Sequence, residues 1–239
     1  MLITGVTGTL GSELKKIFPD SISPSHKDLD ICDPISIKKL FDNNKIDTVI
    51  HTAALTTIRG CEEKKSQAMK VNVQGTINLI EQFKNSNSSG KFVYISTACV
   101  FDGNSGMYDE NSIPYPENFY SLTKLLGEYV VSKLKNSLII RTNFVAKKQW
   151  PYPKAFSDRF GTYLFANQVA IGINDVLKED LQGIIHIVGD KKISMFDLAK
   201  MTTDIEPMTL NDYSGPKLTI DMSLDTKRWK KYNILQDET

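Results

Sequence analysis

Met1-Leu2-Ile3-Thr4-Gly5-Val6-Thr7-Gly8-Thr9-Leu10-Gly11 is the stretch on which the fold turns. Residues 1–4 read as a short apolar strand that runs straight into a glycine turn. Residues 12–18 read as the helix behind it, stopped by Pro19. The glycines stand three apart, as GxxGxxG rather than GxGxxG. Gly5 allows a tight turn off the strand, Gly8 lets backbone approach a pyrophosphate, and Gly11 lets the helix pack close to a sheet. The helix N-terminus adds N–H donors and positive potential suited to phosphates. A bare glycine triplet is equally a strand–helix turn with no ligand. Its place between a strand and a helix favours a dinucleotide, with Gly5, Thr7, Gly8, Leu10 and Gly11 as the candidate contacts.

Working outward, apolar runs alternate with longer amphipathic stretches. Residues 21–23 form a weak second strand. Pro34 stands where a helix N1 proline belongs, after Asp33 as N-cap, and residues 35–41 continue that helix. Residues 47–54 are a buried strand, 66–84 one long helix closed by the polar tract 85–90, and 91–97 another strand. Residues 118–134 are a helix, 137–142 and 183–188 strands, and about 194–203 a late helix. Strands separated by helices imply right-handed βαβ units and a parallel sheet. The expected fold is therefore α/β, a Rossmann-like doubly wound parallel sheet. Two loops rich in Gly, Pro, Asn and Tyr, 102–116 and 147–157, are the candidates for the substrate side.

Composition narrows the function. A chain of 239 residues, 41% hydrophobic, suits one α/β unit with a small appended lobe. Its 29 basic and 28 acidic residues leave a net charge of +1, without the basic excess of a nucleic-acid or membrane-surface binder. Arg59, Arg141, Arg159 and Arg228 are the four arginines, so few cations can make bidentate contacts. Cys32, Cys61 and Cys99 fit neither a disulfide framework nor a zinc site, and His26, His51 and His186 make no metal motif. No metal is expected. Reduced thiols, no room for a signal peptide and no apolar run able to span a bilayer lead to a cytoplasmic expectation.

Tyr120-Ser121-Leu122-Thr123-Lys124 is YxxxK at the start of a helix, and its spacing puts both side chains on one face. An ammonium beside a phenol favours phenolate and lowers the tyrosine pKa. The tyrosine can then exchange a proton with a carbonyl or alcohol. Ser96-Thr97 end the preceding strand at the C-terminal edge of the sheet, where ligands bind in open α/β folds. Thr97 can donate to the same oxygen. At the adenosine end, Asp30-Ile31 is either a ribose contact or a capping acid. Ser25, His26 and Lys27 are either contacts to a 2′-phosphate or a charged loop tip.

The glycine loop, His51-Thr52-Ala53-Ala54, Val71-Asn72-Val73-Gln74-Gly75-Thr76, Ser96-Thr97-Ala98-Cys99-Val100-Phe101 and YxxxK occur in the order of the extended short-chain dehydrogenase/reductases. Within that group the chain most resembles the dTDP-4-dehydrorhamnose reductase family. DLDICDP, FYSLTKLLGE, IIRTNFV, DRFGTYLFANQVA and GIIHIVGDKKISMFDLA extend the likeness over nearly the whole chain. The resemblance implies NADPH- or NADH-dependent reduction of the 4-keto group of a nucleotide-activated 6-deoxyhexose. It implies Thr97, Tyr120 and Lys124 as the catalytic triad, and Asn72 as hydrogen-bonded support for the lysine. It also implies Ala53 and Ala54 beside the passing cofactor, and Asn143 to Val145 along the nicotinamide. The expected partner is a nucleotide-sugar substrate, with no nucleic acid or membrane, and a homodimer is the candidate assembly.

Two features depart from the family. Only residues 144–157 separate the strand 137–142 from the DRFG segment, and the proline usual after that glycine is replaced in Gly161-Thr162-Tyr163. The expected division is thus a dinucleotide-binding region, 1–143, and a shortened substrate lobe, 144–239, interleaved with the last sheet elements. Cys99 stands where the reductases carry tyrosine, as in bifunctional 3,5-epimerase/4-reductases. It is either a proton-transfer thiol, with Lys147, Lys148 or Lys154 as second base, or a small buried hydrophobe. A non-catalytic NAD(P)-binding regulatory subunit, of the kind found with methionine adenosyltransferase, is the reading from another class.

Overall fold

The structure is a computed structural model and describes residues 1–86 and 89–236. The chain begins with strand β1 (Leu2–Thr4) and helices α1 (Thr9–Ile17) and α2 (Pro34–Asp42). Strand β2 (Thr48–His51) leads to α3 (Ile58–Glu63), α4 (Lys65–Met69), a π turn (Lys70–Gln74) and α5 (Gly75–Ser86). Then come β3 (Lys91–Ile95), α6 (Phe119–Val131) and β4 (Ser137–Thr142). Four two- or three-residue strands follow: β5 (Phe144–Val145), β6 (Lys154–Phe156), β7 (Phe160–Gly161) and β8 (Leu164–Phe165). Helix α7 (Ala166–Lys178), β9 (Gly183–Ile187), β10 (Ile193–Ser194), α8 (Met195–Lys200), β11 (Glu206–Met208) and β12 (Asp221–Met222) complete it.

β1, β2, β3, β4 and β9 form one sheet in that order, and every pairing in it is parallel. The weak strand expected at 21–23 is reduced to one parallel bridge, Ile22 to Leu2, on the outer side of β1. That bridge still matters. The chain leaves β1 towards one edge of the sheet and returns to β2 on the other side, so the order reverses at β1. A crevice opens at such a switch point, beyond the C-terminal ends of the strands.

Alternation along the strands sends side chains to two separate cores. Ile3, Ile50, Val93, Ile95, Leu138 and Ile140 face a layer with Leu10 and Leu14 of α1 and Val169, Ile173 and Val176 of α7. Leu2, Val49, Phe92, Tyr94 and Ile139 face Ile37 and Phe41 of α2, Leu79 and Phe83 of α5, and Val131 of α6. Both faces of the sheet are covered, as an all-parallel sheet requires.

Local signals set several ends as expected. The Asp33 side chain accepts from Ile35 N with Pro34 at N1, and Asn118 Oδ1 accepts from Ser121 N at 3.0 Å. Other expectations are corrected. The first helix starts at Thr9, three residues early, because Gly8 is its N-cap. The strands expected at 47–54 and 91–97 end at His51 and Ile95, where the chain turns out over the sheet edge. The helix expected at 66–84 is found as a helical run from Lys65 to Ser86 with a π turn within it. Lys64, with φ −126° and ψ 55°, separates that run from the additional short helix α3 before it. Of the polar tract expected to close it, Asn87 and Ser88 lie outside the described residues. Helix α7 carries Val169, Ala170, Ile173 and Val176 at helical spacing, a signal that the glycine- and aromatic-rich run before it obscures.

Beyond the end of β4 the small strands pair among themselves: β10-β7-β12, β11-β6 and β5-β8. The large sheet nevertheless includes β9, so residues after 144 contribute to both layers. The loop 102–116 packs against the chain near β12. Tyr108 N donates to Ser223 O, and the Glu110 carboxylate accepts from Thr226 Oγ1 and Lys227 N.

One buried ion pair holds α6 to the sheet. Arg141 on β4 and Glu128 on α6 are 2% and 4% exposed at their side chains, and the guanidinium grips the carboxylate through Nε and Nη2. Ser96 Oγ donates to the same carboxylate. Breaking such a pair strands the other charge in the core, at about 3–5 kcal/mol. Glu128→Gln is expected to lower unfolding free energy by about that amount in urea titration, whereas Glu13→Gln, in a solvated i,i+3 pair on α1, should change it by less than about 1 kcal/mol.

Candidate active site

A cleft of about 830 Å³ opens along the C-terminal ends of β1, β2, β3 and β4. Thr97, Cys99, Tyr120 and Lys124 line it, as do the glycine loop, Asp30, Ile31, Ala53, Ala54, Asn143 and Val145, whereas Asn72, Ser25, Lys27, Lys147 and Lys154 do not. At one end lies the glycine loop. Gly5, at φ +73°, takes a conformation that side chains resist, and a Cβ there would come 2.7 Å from Ala53 N. A Cβ on Gly11 would strike Gly5 O at 2.2 Å, so Gly11 is needed for α1 to meet the turn. Gly8 differs. Its φ of −80° and ψ of 171° suit any residue, and a Cβ would meet only Gly5 O at 3.2 Å. The fold itself therefore asks little of Gly8; a bare backbone there keeps the cleft wall low.

Gly8 gives α1 no side-chain cap, which leaves first-turn N–H groups without the usual acceptor at the cleft. Together with the low wall at Gly8, this is the geometry of a diphosphate cradle. Ala53 and Ala54 line the next part of the wall. Asp30 also lines the cleft, while its Oδ1 accepts from Cys32 N at 2.9 Å, so it is both a capping acid and a cleft carboxylate. Ile31 and His26 lie beside it; Ser25 and Lys27 do not line the cleft, and Ser25 is bound to Asp28.

At the other end stand Thr97, Tyr120 and Lys124. Burial is the largest influence on the Tyr120 phenol and pushes it well above its ordinary pKa; a hydrogen bond with Thr97 acts in the opposite direction. The expected lowering by Lys124 is not found. The Lys124 ammonium turns instead to Ile95 O, 2.7 Å away, and sits 4.0 Å over the Tyr94 ring. Burial lowers Lys124 to about 7, against a smaller upward pull from Glu128 one turn along α6.

Asn72 is corrected as well. Its Oδ1 accepts from Leu55 N at 2.7 Å, and its Nδ2 donates to Leu55 O and to Thr123 Oγ1. The amide thus pins the loop after β2 to α6 beside the lysine, without touching it. The π turn places Asn72 there, which is why the unbroken helix expected from the sequence misassigned its reach.

Cys99 does not share a strand face with Thr97, because β3 stops at Ile95 and Thr97 caps a 3₁₀ turn over Ala98–Val100. The thiol still lines the cleft, 3.2 Å from Met222 Sδ. Among the lysines considered as a second base, Lys148 lines the cleft; Lys154 is away from it beside Glu206. The cleft also takes in 148–152 of one candidate loop but nothing of 102–116, which is held by β12.

Further residues complete the floor. Thr142 Oγ1, Asn143 Nδ2 and Tyr163 OH are buried atoms without a well-formed hydrogen bond, and all three residues line the cleft. Arg159 and Met222 join them. The resemblance already pointed to Asn143, and Tyr163 stands in the place of the usual proline; Thr142, Arg159 and Met222 were not expected there. Val145 and Phe144 lie along the same wall.

Residues 1–151 match the RmlD substrate binding domain family. This chain belongs to that family. Among family relatives, the dTDP-4-dehydrorhamnose reductase of Aggregatibacter actinomycetemcomitans is 29% identical over 226 residues, covering 83% of this chain and 76% of that protein. Methionine adenosyltransferase 2 subunit beta of Xenopus tropicalis is 28% identical over 281 residues, covering 98% of this chain and 83% of that one. That alignment is longer than this RmlD-family chain, so the relative carries stretches absent here. In fold, the chain matches a dTDP-4-dehydrorhamnose reductase of Bacillus anthracis, solved in complex with NADP. The TM-score is 0.84 at 24% identity, over 93% of this chain and 89% of that one.

The Lys124 environment has a consequence for stability. Its pKa is lower in the folded chain, so between about 7 and 10.5 the unfolded chain binds more protons and stability rises with pH. The penalty is fully present below 7. Lys124→Met removes it, and the melting temperature of the variant relative to wild type should be highest at pH 6–7 and fall as pH approaches 10. Parallel melting curves would show the lysine is not desolvated.

Proposed function

We propose that the chain is an NADPH- or NADH-dependent oxidoreductase that reduces the 4-keto group of a nucleotide-activated 6-deoxyhexose. The observation that carries this is one continuous cleft with a diphosphate cradle at Gly5–Gly11 and Thr97, Tyr120 and Lys124 at its other end. Relatives named as dTDP-4-dehydrorhamnose reductase support the substrate class, and the NADP complex of a fold neighbour supports the cofactor. The setting would be the cytoplasm, where nucleotide sugars are made and used, with residues 144–239 as the substrate side.

Gly5, Gly8, Gly11 and the first turn of α1 would hold the pyrophosphate. Ala53 and Ala54 would leave room along the wall, and Asn143–Val145 would border the nicotinamide end. When bound, the nicotinamide supplies the hydride. Tyr120, kept protonated by burial, gives its proton to the substrate oxygen as negative charge develops there. Thr97, already bonded to Tyr120, donates to the same oxygen and holds it in line. Lys124, held at the strand end through Ile95 O, would bind the nicotinamide ribose. The Thr97–Tyr120 pair at the end of the same cleft, which a regulatory subunit without chemistry would not need, favours the enzyme.

Two substitutions separate binding from chemistry. Gly8→Val should fold normally and lose NADPH binding in calorimetry. Tyr120→Phe should keep NADPH affinity and lose about 10²–10⁴-fold in turnover of a 4-keto-6-deoxyhexose nucleotide. Wild-type turnover in Tyr120→Phe would remove the assignment.

A further inference from the structure

Arg159 is 8% exposed and lines the cleft, yet no carboxylate partners it among the described residues. Its Nε donates to Thr219 O at 2.8 Å, and its Nη2 meets only the thioether of Met222, at 3.1 Å. Thioether sulfur is a weak acceptor. Asp158, next to it in sequence, accepts from Leu210 N, and Asp221 is committed to Lys192 and Ser223. A buried guanidinium with no counter-charge is expensive to keep. It is kept here beside the Tyr163 hydroxyl and Asn143 Nδ2, two buried groups that lie against each other without a well-formed hydrogen bond. These two side chains meet over Gly161, where an added Cβ would lie 2.7 Å from each of them. Arg159 and Cys99 both act on the Tyr163 phenol, and both touch Met222. One cation and two loosely paired neutral groups thus gather at the Cys99 end of the cleft with no carboxylate bonded to them among the described residues.

We propose that Arg159 binds an oxyanion of the substrate at this end of the cleft, with Tyr163 OH and Asn143 Nδ2 as neutral co-donors. The inference rests on the cleft being the substrate site, as proposed above. It adds that the short lobe anchors its substrate by charge from the cleft floor. The oxyanion comes either from the diphosphate of a sugar nucleotide or from a carboxylate on the sugar itself. Arginine suits both, since its planar fork matches either group.

Calorimetry on the full chain with dTDP, inorganic pyrophosphate and glucuronate distinguishes the sources, with NADPH titrated as a control. The expected result is that dTDP and pyrophosphate bind wild type and weaken at least tenfold in Arg159→Met. Arg159→Lys should fall between the two, and NADPH affinity should not change. If glucuronate alone depends on Arg159, the oxyanion subsite stands, and the neutral 6-deoxyhexose proposed above is replaced by an acidic sugar. If no anion binds wild type, or all bind Arg159→Met equally, the subsite is refuted whether or not NADPH binds. Should Arg159→Met fail to fold, Tyr163→Phe decides. It removes a hydroxyl without a well-formed hydrogen bond, so its melting temperature should change little. Its affinity for the anion should drop about threefold or more; an unchanged affinity overturns the proposal.

Discussion

The grip of Arg141 on Glu128 is the interaction on which the rest depends. Both groups are removed from water, and the pair spans from β4 to α6, with Ser96 at the end of β3 joined to it. Gly127 allows the approach, because a Cβ there would run into the Tyr94 hydroxyl at 2.1 Å. With α6 held this tightly, the residues one and two turns before Glu128 fall at the strand ends. Those residues are Lys124 and Tyr120. A helix packed only by apolar contacts could slide by a fraction of a turn; a bidentate ion pair in a low-dielectric core fixes its register.

The cleft places chemistry where the fold has already made room. Reversal of strand order at β1 opens the crevice, and the helix that starts there turns its uncapped N–H groups towards it. The other end carries costs that a purely structural interior would avoid. Lys124 is buried to the point that its pKa falls to about 7, and Thr142, Asn143 and Tyr163 each keep a polar atom without a partner. Proteins concentrate such penalties at sites that bind and react. Asn72 belongs to the supporting structure. It ties Leu55 to Thr123 and so couples the loop after β2 to the helix that bears the tyrosine and lysine.

Much of this is legible in the residues, and unevenly so. The glycine loop, the Asp33-Pro34 helix start and the strand Ser137–Thr142 are local signals, each decided by a few neighbouring residues, and they hold in the structure. The break at Lys64 and the π turn at Lys70–Gln74 carry no such mark, because both follow from docking against α6 and the loop after β2. Helix α7 was hidden for a different reason. Its apolar residues follow directly on the aromatic run Tyr163–Leu164–Phe165, and the period becomes clear only once α1 is seen to lie beside it.

The sequence by itself determined the parallel α/β sheet, the turn that suits a diphosphate and the four-residue spacing of Tyr120 and Lys124, since each depends on backbone sterics or helical periodicity within a short span. Only the tertiary structure decided what those side chains meet. Lys124 turns to Ile95 O rather than to Tyr120, and Asn72 reaches Thr123 rather than the lysine. Cys99 lies against Met222, 123 positions away, and Arg159 is left buried without a counter-ion among the described residues. Those outcomes are set by contacts between distant segments and by the dielectric they enclose, which no local pattern of residues encodes.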